Sequence, residues 1–289
     1  IQLAVDPLYG AARGYLDRLL RDAGIPLTVI HDRRDVLFGG HPPEPAEHRL
    51  GELKQAMEET GAALGLATDG DADRFGILDR GGLFISPNHI IGLLFDYLIQ
   101  TRGWKAGAGK SVATTNLVNA LAAYHGVPLY ETPVGFKYIG ELIKANKIVL
   151  GGEESAGLSI YGHVPEKDGI LACLLTAEMV AQRGESLQAQ LEALFRRVGG
   201  FYPERVNIRL TEEMKARLTL RLREDPSCFA GRRVKESVRV DGLKLVLDDG
   251  SWVLFRPSGT EPVVRLYAEA RSAAELPPLM EEVKKFVFG

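Results

Sequence analysis

Asp69, Asp71 and Asp73 alternate with small residues in Ala67-Thr68-Asp69-Gly70-Asp71-Ala72-Asp73-Arg74, between the apolar runs 64–67 and 75–78. Alternate residues of an extended segment point the same way, so the three carboxylates converge, and Gly70 and Ala72 are too small to obstruct them. Two unit charges ~4 Å apart repel by about 1 kcal/mol in water and about 4 kcal/mol near a protein surface. Three together call for a hard divalent cation, magnesium before calcium. The plain alternative is an acidic turn that is only solvated. An EF-hand also begins with alternate Asp, but it needs Gly where Arg74 stands and a bidentate Glu where Arg80 stands. Arg74, a guanidinium beside the cluster, points to an anionic substrate at the same place.

Two further stretches carry chemistry. In Gly151-Gly152-Glu153-Glu154-Ser155-Ala156-Gly157, glycines bring backbone close to a ligand while Glu153 and Ser155, two apart, face it together. A carboxylate plus a hydroxyl suits a polyol. In Arg256-Pro257-Ser258-Gly259-Thr260-Glu261-Pro262, Arg256 offers a fork of donors. Ser258, Thr260 and the amides around Gly259 line a nest for an anion, and Arg265 adds a second charge. That set suits a phosphate. Taken singly, each stretch also reads as a turn or hairpin with incidental polar residues. Lys167, in Glu166-Lys167-Asp168-Gly169, stands at a helix entry where Asp168 serves as a plain N-cap. Beside a phosphate site it can bind phosphate or move a proton. The run 102–110, ending at Lys110, resembles a P-loop only weakly, since no strand leads in and no helix opens after it.

The elements that position these residues form three blocks. Residues 1–104 alternate a strand at 1–5, a helix at 11–23 with Leu16, Leu19 and Leu20 buried, and a strand at 27–30. A Gly/Pro loop at 39–45, a helix at 50–60, the metal-loop strands and a helix at 88–101 follow. His31, His41, His48 and His89 lack ligand-like spacing and read as surface or packing residues. After a small-residue linker at 102–110, residues 105–203 restart the alternation, with strands at 111–114, 129–130 and 147–150. Their helices lie at 117–124, 134–144 and 170–181. Residues 204–289 place strands in succession between helices at 212–223 and 275–287, with Asp248-Asp249-Gly250 a hairpin turn. The expected fold class is α/β: two mainly parallel α/β sandwich domains followed by a smaller α+β C-terminal domain.

Composition excludes several classes. The chain has 289 residues, 45% hydrophobic and 25% charged, with a net charge of −3 that gives no hint of nucleic acid. No apolar run approaches the ~20 residues of a membrane span, so no membrane partner is expected. Cys173 and Cys228 make no disulfide framework, which favours a reducing cytoplasm. Opening without Met on a strand-like segment, the chain reads as cut from something longer.

In combination, the three stretches resemble the α-D-phosphohexomutase family, which includes phosphoglucomutase, phosphomannomutase and phosphoglucosamine mutase. Residues 69–74 resemble its metal loop, 152–155 its sugar loop and 256–260 its phosphate loop. Thr132-Pro133-Val134-Gly135-Phe136-Lys137 and Glu166-Lys167-Asp168-Gly169 resemble family segments in the right order, and the match covers essentially the whole chain. The resemblance implies catalytic roles for Arg74 and Lys167. It implies magnesium on Asp69, Asp71 and Asp73, and substrate binding by Gly135, Lys137, Glu153, Ser155, Arg256, Ser258, Gly259, Thr260 and Arg265.

The resemblance also implies a mechanism. Family members have four domains, and a serine in the first carries the phosphate. Nothing before Asp69 resembles that serine loop, so the expectation is the second to fourth domains without the donor. A phosphoserine gives its phosphate to a hexose phosphate, the bisphosphate turns over, and the other phosphate returns to serine. Hexose 1,6-bisphosphate is the expected activator and hexose 1-phosphate and 6-phosphate the substrates. Glu154 favours glucose and mannose over glucosamine. Lys167, with an ordinary pKa of ~10.4, needs burial or a cationic neighbour to act as a base at neutral pH. Two other readings compete: a non-catalytic phosphosugar-binding fragment, and a metal-dependent phosphatase with Asp69 or Asp71 as nucleophile.

Overall fold

The computed structural model describes residues 1–258 and 261–288. The first sheet is built around β1 (Leu3–Asp6), whose residues are all buried. β2 (Leu27–Val29) and β3 (Leu64–Thr68) lie parallel on either side of it. β4 (Phe75–Asp79) and β5 (Leu83–Ile85) extend the sheet antiparallel, giving the order β2-β1-β3-β4-β5. Residues 69–74 are therefore a hairpin tip at the carboxyl end of β3, next to the carboxyl end of β1.

α1 (Leu16–Asp22) is shorter than the expected 11–23. The amide of Ala11 donates instead to the Gly70 carbonyl (2.9 Å), so the chain wraps the acidic loop before it turns helical. Leu16 and Leu20 are buried but Leu19 is 50% exposed, a correction to the expected stripe. In so short a helix, Leu19 lies about 100° from Leu20, off the one face that meets the core. α2 (Gly51–Thr60) buries Leu53, Ala56 and Met57 on the same sheet.

The second sheet has the order β7-β6-β8-β9, from β6 (Gly107–Ser111), β7 (Leu129–Thr132), β8 (Ile148–Glu153) and β9 (Gly157–Ile160). β6 runs parallel to β7 and β8, and β9 closes antiparallel. Here the structure corrects the linker expected at 102–110. Its second half is the central strand, and the strand expected at 111–114 is placed too late in the chain. The glycines fit because a side chain at 109 would press into Ile148 (2.7 Å). Small residues thus admit close packing where β-branched residues usually advertise a strand.

Helices α3 (Pro87–Arg102), α4 (Leu117–His125), α5 (Phe136–Lys144), α6 (Gly169–Arg183) and α7 (Leu187–Val198) surround this sheet. α6 also packs on β3 and β4, so one core runs through both sheets. No helix among the described residues is long and apolar enough to cross a membrane.

The last block is an antiparallel sheet ordered β10-β15-β14-β13-β12-β11. Its strands are β10 (Tyr202–Arg209), β11 (Cys228–Phe229), β12 (Arg232–Val238), β13 (Leu243–Leu247), β14 (Trp252–Pro257) and β15 (Val263–Ala270). α8 (Glu212–Arg221) and α9 (Leu276–Phe288) cover it and share a separate core with it. The seam with the second sheet packs Val112 and Ala113 with Trp252, Leu254 and Tyr267.

Charges are buried at that seam. Lys110, fully buried, gives its ammonium to the Thr114 carbonyl (2.9 Å) and Asn116 Oδ1 (2.8 Å) and ion-pairs with Glu131 (3.1 Å). Lys244 reaches across to the Val112 carbonyl (2.9 Å) and lies over the Trp252 ring. Burial, with Lys244 adding, pushes the Lys110 ammonium down to about 7.

A lysine depressed in this way holds fewer protons folded than unfolded between about pH 7 and its ordinary value of 10.5. Stability contributed by this group therefore rises with pH across that window. The unfolding free energy from urea titrations should climb from pH 7 to pH 9, with a slope of at most about 1.4 kcal/mol per pH unit for one linked proton. Lys110→Met should reduce that slope; a flat or falling wild-type profile would contradict the assignment.

Candidate functional site

The hairpin between β3 and β4 gathers carboxylate oxygens of Asp69, Asp71 and Asp73 within 4.8 Å of one another. Asp69 is buried, and its Oδ1 accepts the Arg74 amide (2.9 Å). Ala72 takes φ +64°, a conformation costly for a residue with a Cβ. The loop is braced from outside, since the Gly169 amide at the start of α6 donates to the Ala72 carbonyl (2.9 Å). Burial pushes the Asp69 carboxyl up to about 7; the Arg74 amide opposes this, and the Asp73 and Asp71 charges add to it. The donor set is all oxygen and its charge is incompletely balanced, which fits a hard dication.

Arg74 stands 3.7 Å from Asp73 and 4.0 Å from Asp69 through its Nε. Its backbone forms an isolated β-bridge to Gly157, joining the acidic loop to the Gly-rich carboxylate loop. Lys167 crosses the same junction, with its Nζ 2.9 Å from Asp73 and 3.0 Å from Glu166. The crossing needs glycine at 157, where a Cβ would sit 2.6 Å from the lysine stem. Burial works against the Lys167 charge, but the Asp73 and Glu166 carboxylates outweigh it and hold the pKa above the ordinary value. This is the reverse of what a neutral lysine base needs. Lys167 is an ammonium donor here and already occupies a cation position beside Asp73.

Glu153 ends β8 almost fully buried, and its Oε1 accepts the Gly135 amide (2.7 Å) at the mouth of α5. Burial raises its pKa. Ser155 and Arg74 line one cleft of about 420 Å³ together with Glu154 and Arg205. The Glu154 carboxylate is turned toward the last sheet, accepting from the Tyr267 hydroxyl (3.1 Å). Lys137 is exposed, its ammonium over the Tyr138 ring.

In the third loop, Arg256 on β14 and Arg265 on β15 are direct cross-strand partners. Side chains of such a pair share a face, where like charges are destabilising unless carboxylates offset them, and Glu261 lies 4.0 Å from Arg265. Asp241 accepts the Arg256 Nε (2.8 Å), and Ser258 Oγ accepts the Glu261 amide (3.3 Å). Gly259 and Thr260 lie outside the described residues.

Several participants escaped the sequence reading. Asp241 accepts from both Arg256 and the Val134 amide (3.1 Å), and its one local signal was the following Gly242. His163 bonds Asp168 (2.8 Å), whose other oxygen caps α6 as expected. His31 is held between Asp6 (3.0 Å) and Glu52 (3.1 Å), a packing role made polar by the positive φ that turns it inward.

Two α/β units and an antiparallel sheet thus carry an acidic loop, a Gly-rich carboxylate loop and an arginine hairpin. The chain belongs to the phosphoglucomutase/phosphomannomutase family. Residues 1–82 match the family's alpha/beta/alpha domain II, residues 86–198 its alpha/beta/alpha domain III, and residues 206–286 its C-terminal domain. It is 29% identical to a phosphoglucomutase/phosphomannomutase of Thermococcus kodakarensis, over 93% of this chain and 57% of the relative. With a phosphoglucomutase of Komagataeibacter xylinus it shares 31% identity, over 98% of this chain and 56% of the relative. A crystal structure of a candidate phosphomannomutase from Thermus thermophilus superposes with a TM-score of 0.83 at 34% identity, covering 99% of this chain and 61% of that one. The chain thus spans a little over half the length of the relatives it matches.

Calorimetry with magnesium should show binding that Asp71→Asn weakens, because one of three converging carboxylates loses its charge. Equal affinity in both proteins, or no binding even with a phosphoserine-bearing partner domain added, would contradict the assignment.

Proposed function

We propose that this chain is the metal-, sugar- and phosphate-binding part of a phosphohexomutase that interconverts hexose 1-phosphate and hexose 6-phosphate through a bisphosphate. The observation that carries the reading is the joining of the loops. Arg74 bridges to Gly157, Lys167 reaches Asp73 from beyond the sugar loop, and Asp241 links Arg256 to the segment that bonds Glu153. A single elongated ligand with a phosphate at one end fits such a set.

In this reading Asp69, Asp71 and Asp73 hold magnesium, which neutralises charge on the transferring phosphoryl group. Arg74 and Lys167 supply further positive charge there. Lys167 enters as an ammonium and gives a proton before it takes one. Glu153, Ser155 and the Gly135 turn position sugar hydroxyls, and Lys137 stands at the rim. Arg256, Arg265, Ser258 and the Gly259-Thr260 turn grip the phosphate that is not reacting. The phosphoryl donor in this proposal is a serine on a further domain, and hexose 1,6-bisphosphate is the activator. Glucose or mannose phosphate is the proposed substrate, and the proposed location is the cytoplasm.

Arg256→Ala should weaken binding of glucose 6-phosphate by roughly 1.5–3 kcal/mol, the worth of a charge-assisted hydrogen bond, while free glucose scarcely notices. Equal losses for both ligands would mean that the loop acts through fold stability.

Activity is tested by a coupled mutase assay with magnesium and hexose 1,6-bisphosphate, on this chain alone and with a phosphoserine domain supplied. The chain alone should not turn over, since positioning accelerates phosphoryl transfer only when donor and acceptor are both present. Robust turnover by the chain alone would overturn the proposed donor. Failure of the supplemented protein on every hexose phosphate would overturn the mutase reading.

A further inference from the structure

Asp241 sits between β12 and β13, just before Gly242, whose φ is +94°. A Cβ at 242 would strike the Phe255 carbonyl oxygen (2.3 Å), so glycine lets the turn lie flat on the backbone that leads into Arg256. From there one oxygen of Asp241, Oδ2, serves two donors. It accepts Arg256 Nε (2.8 Å) from its own sheet and the Val134 backbone amide (3.1 Å) from the neighbouring unit. The next amide, Gly135, donates to Glu153 Oε1 (2.7 Å). Two consecutive backbone N–H groups thus point to two different carboxylates, one leading to the phosphate hairpin and the other to the sugar loop.

We propose that Asp241 is a positioning residue that fixes the Arg256 guanidinium relative to Glu153 and so sets the span between phosphate and sugar recognition. The inference rests on the functional reading above.

Three physical points support it. A carboxylate on the Nε edge restricts rotation of the guanidinium plane and so orients the fork that receives a phosphate. Asp241 and Arg256 are both mostly shielded, with side chains 27% and 19% exposed, so the pair is stronger than an exposed one. Arg265, the cross-strand partner of Arg256, lies 4.0 Å from a carboxylate of its own, Glu261, so the hairpin gives each arginine a separate acid and Asp241 is the one that holds Arg256. Because the same oxygen also holds Val134, a shift of the last sheet against the second unit changes the orientation of Arg256 and the placement of Glu153 together. The phosphate-to-sugar span therefore becomes a property of the seam rather than of either loop.

Two measurements on the full chain test this. Calorimetry with glucose 6-phosphate is run on wild type, Asp241→Ala, Asp241→Asn, Arg256→Ala and the Asp241→Ala/Arg256→Ala double variant. Asp241→Ala should lose about tenfold or more in affinity. Asp241→Asn, which keeps an acceptor oxygen in place, should recover part of that loss. In the Arg256→Ala background the Asp241 change should cost little more. In parallel, nitrogen-15 spectra of the ligand-free protein should show a protected Arg256 Nε–H that disappears in Asp241→Ala while backbone amides of the distant core hold their positions.

Unchanged affinity in Asp241→Ala, with wild type binding normally, would overturn this inference and leave the function standing. So would an equal loss with and without Arg256, or a protected Nε–H that survives the substitution. Failure of wild type itself to bind any hexose phosphate would overturn the functional reading and this inference with it.

Discussion

Negative charge packed tighter than water would allow is the constraint around which this molecule is arranged. Asp69, Asp71 and Asp73 are held together by a hairpin that cannot relax, because Ala72 is pinned to the start of α6 and Ala11 bonds Gly70 from the other side. Burial, with the Asp73 and Asp71 charges adding, raises the Asp69 pKa. Nearby cations follow from it. Arg74 leans on Asp69 and Asp73, and Lys167 reaches past the sugar loop to Asp73 as well. These contacts tie the second unit to the first beside the shared apolar core, where α6 packs on β3 and β4.

The seam with the last sheet is organised by a different solution to the same problem. Lys110 and Lys244 are buried and share the partly exposed Glu131 carboxylate, and Glu269 accepts both the Asn116 amide and the Trp252 indole. A buried charge that loses its partner costs far more than the pair contributes, so such contacts specify one arrangement more than they stabilise it. These bonds are made together in one register between the two units, with Glu269 Oε2 left buried and without a hydrogen-bond partner among the described residues.

Much of this was legible in the chain. The three chemical stretches announced themselves because each concentrates one kind of donor or acceptor around glycines, and the alternation of strands and helices set out the three blocks. What stayed hidden has a common cause. The 107–111 strand is made of Gly, Ala, Lys and Ser, whose propensities say nothing of a central strand; its place is decided by neighbours distant in sequence. Leu19 reads as core by composition and is exposed because the helix is so short. Asp241 looks like any turn aspartate until a residue 107 positions earlier donates to it. Lys167 lies in a recognisable segment, yet its protonation is set by Asp73, a contact that sequence order does not reveal.

The facing arginines of the last hairpin bear on the order of events as well as on affinity. In the proposed function, hydroxyl recognition at Glu153 and Ser155 would act only on contact. Arg256 and Arg265 each have a carboxylate nearby, Asp241 at 2.8 Å and Glu261 at 4.0 Å, and what remains of their positive field fades within about 10 Å at moderate ionic strength. Under the proposed function, a sugar phosphate entering the cleft would be met first at its charged end, while its ring is still free to turn. For the two-ended ligand of that proposal this would be a useful asymmetry: the anchor forms early, and the choice of face is made afterwards.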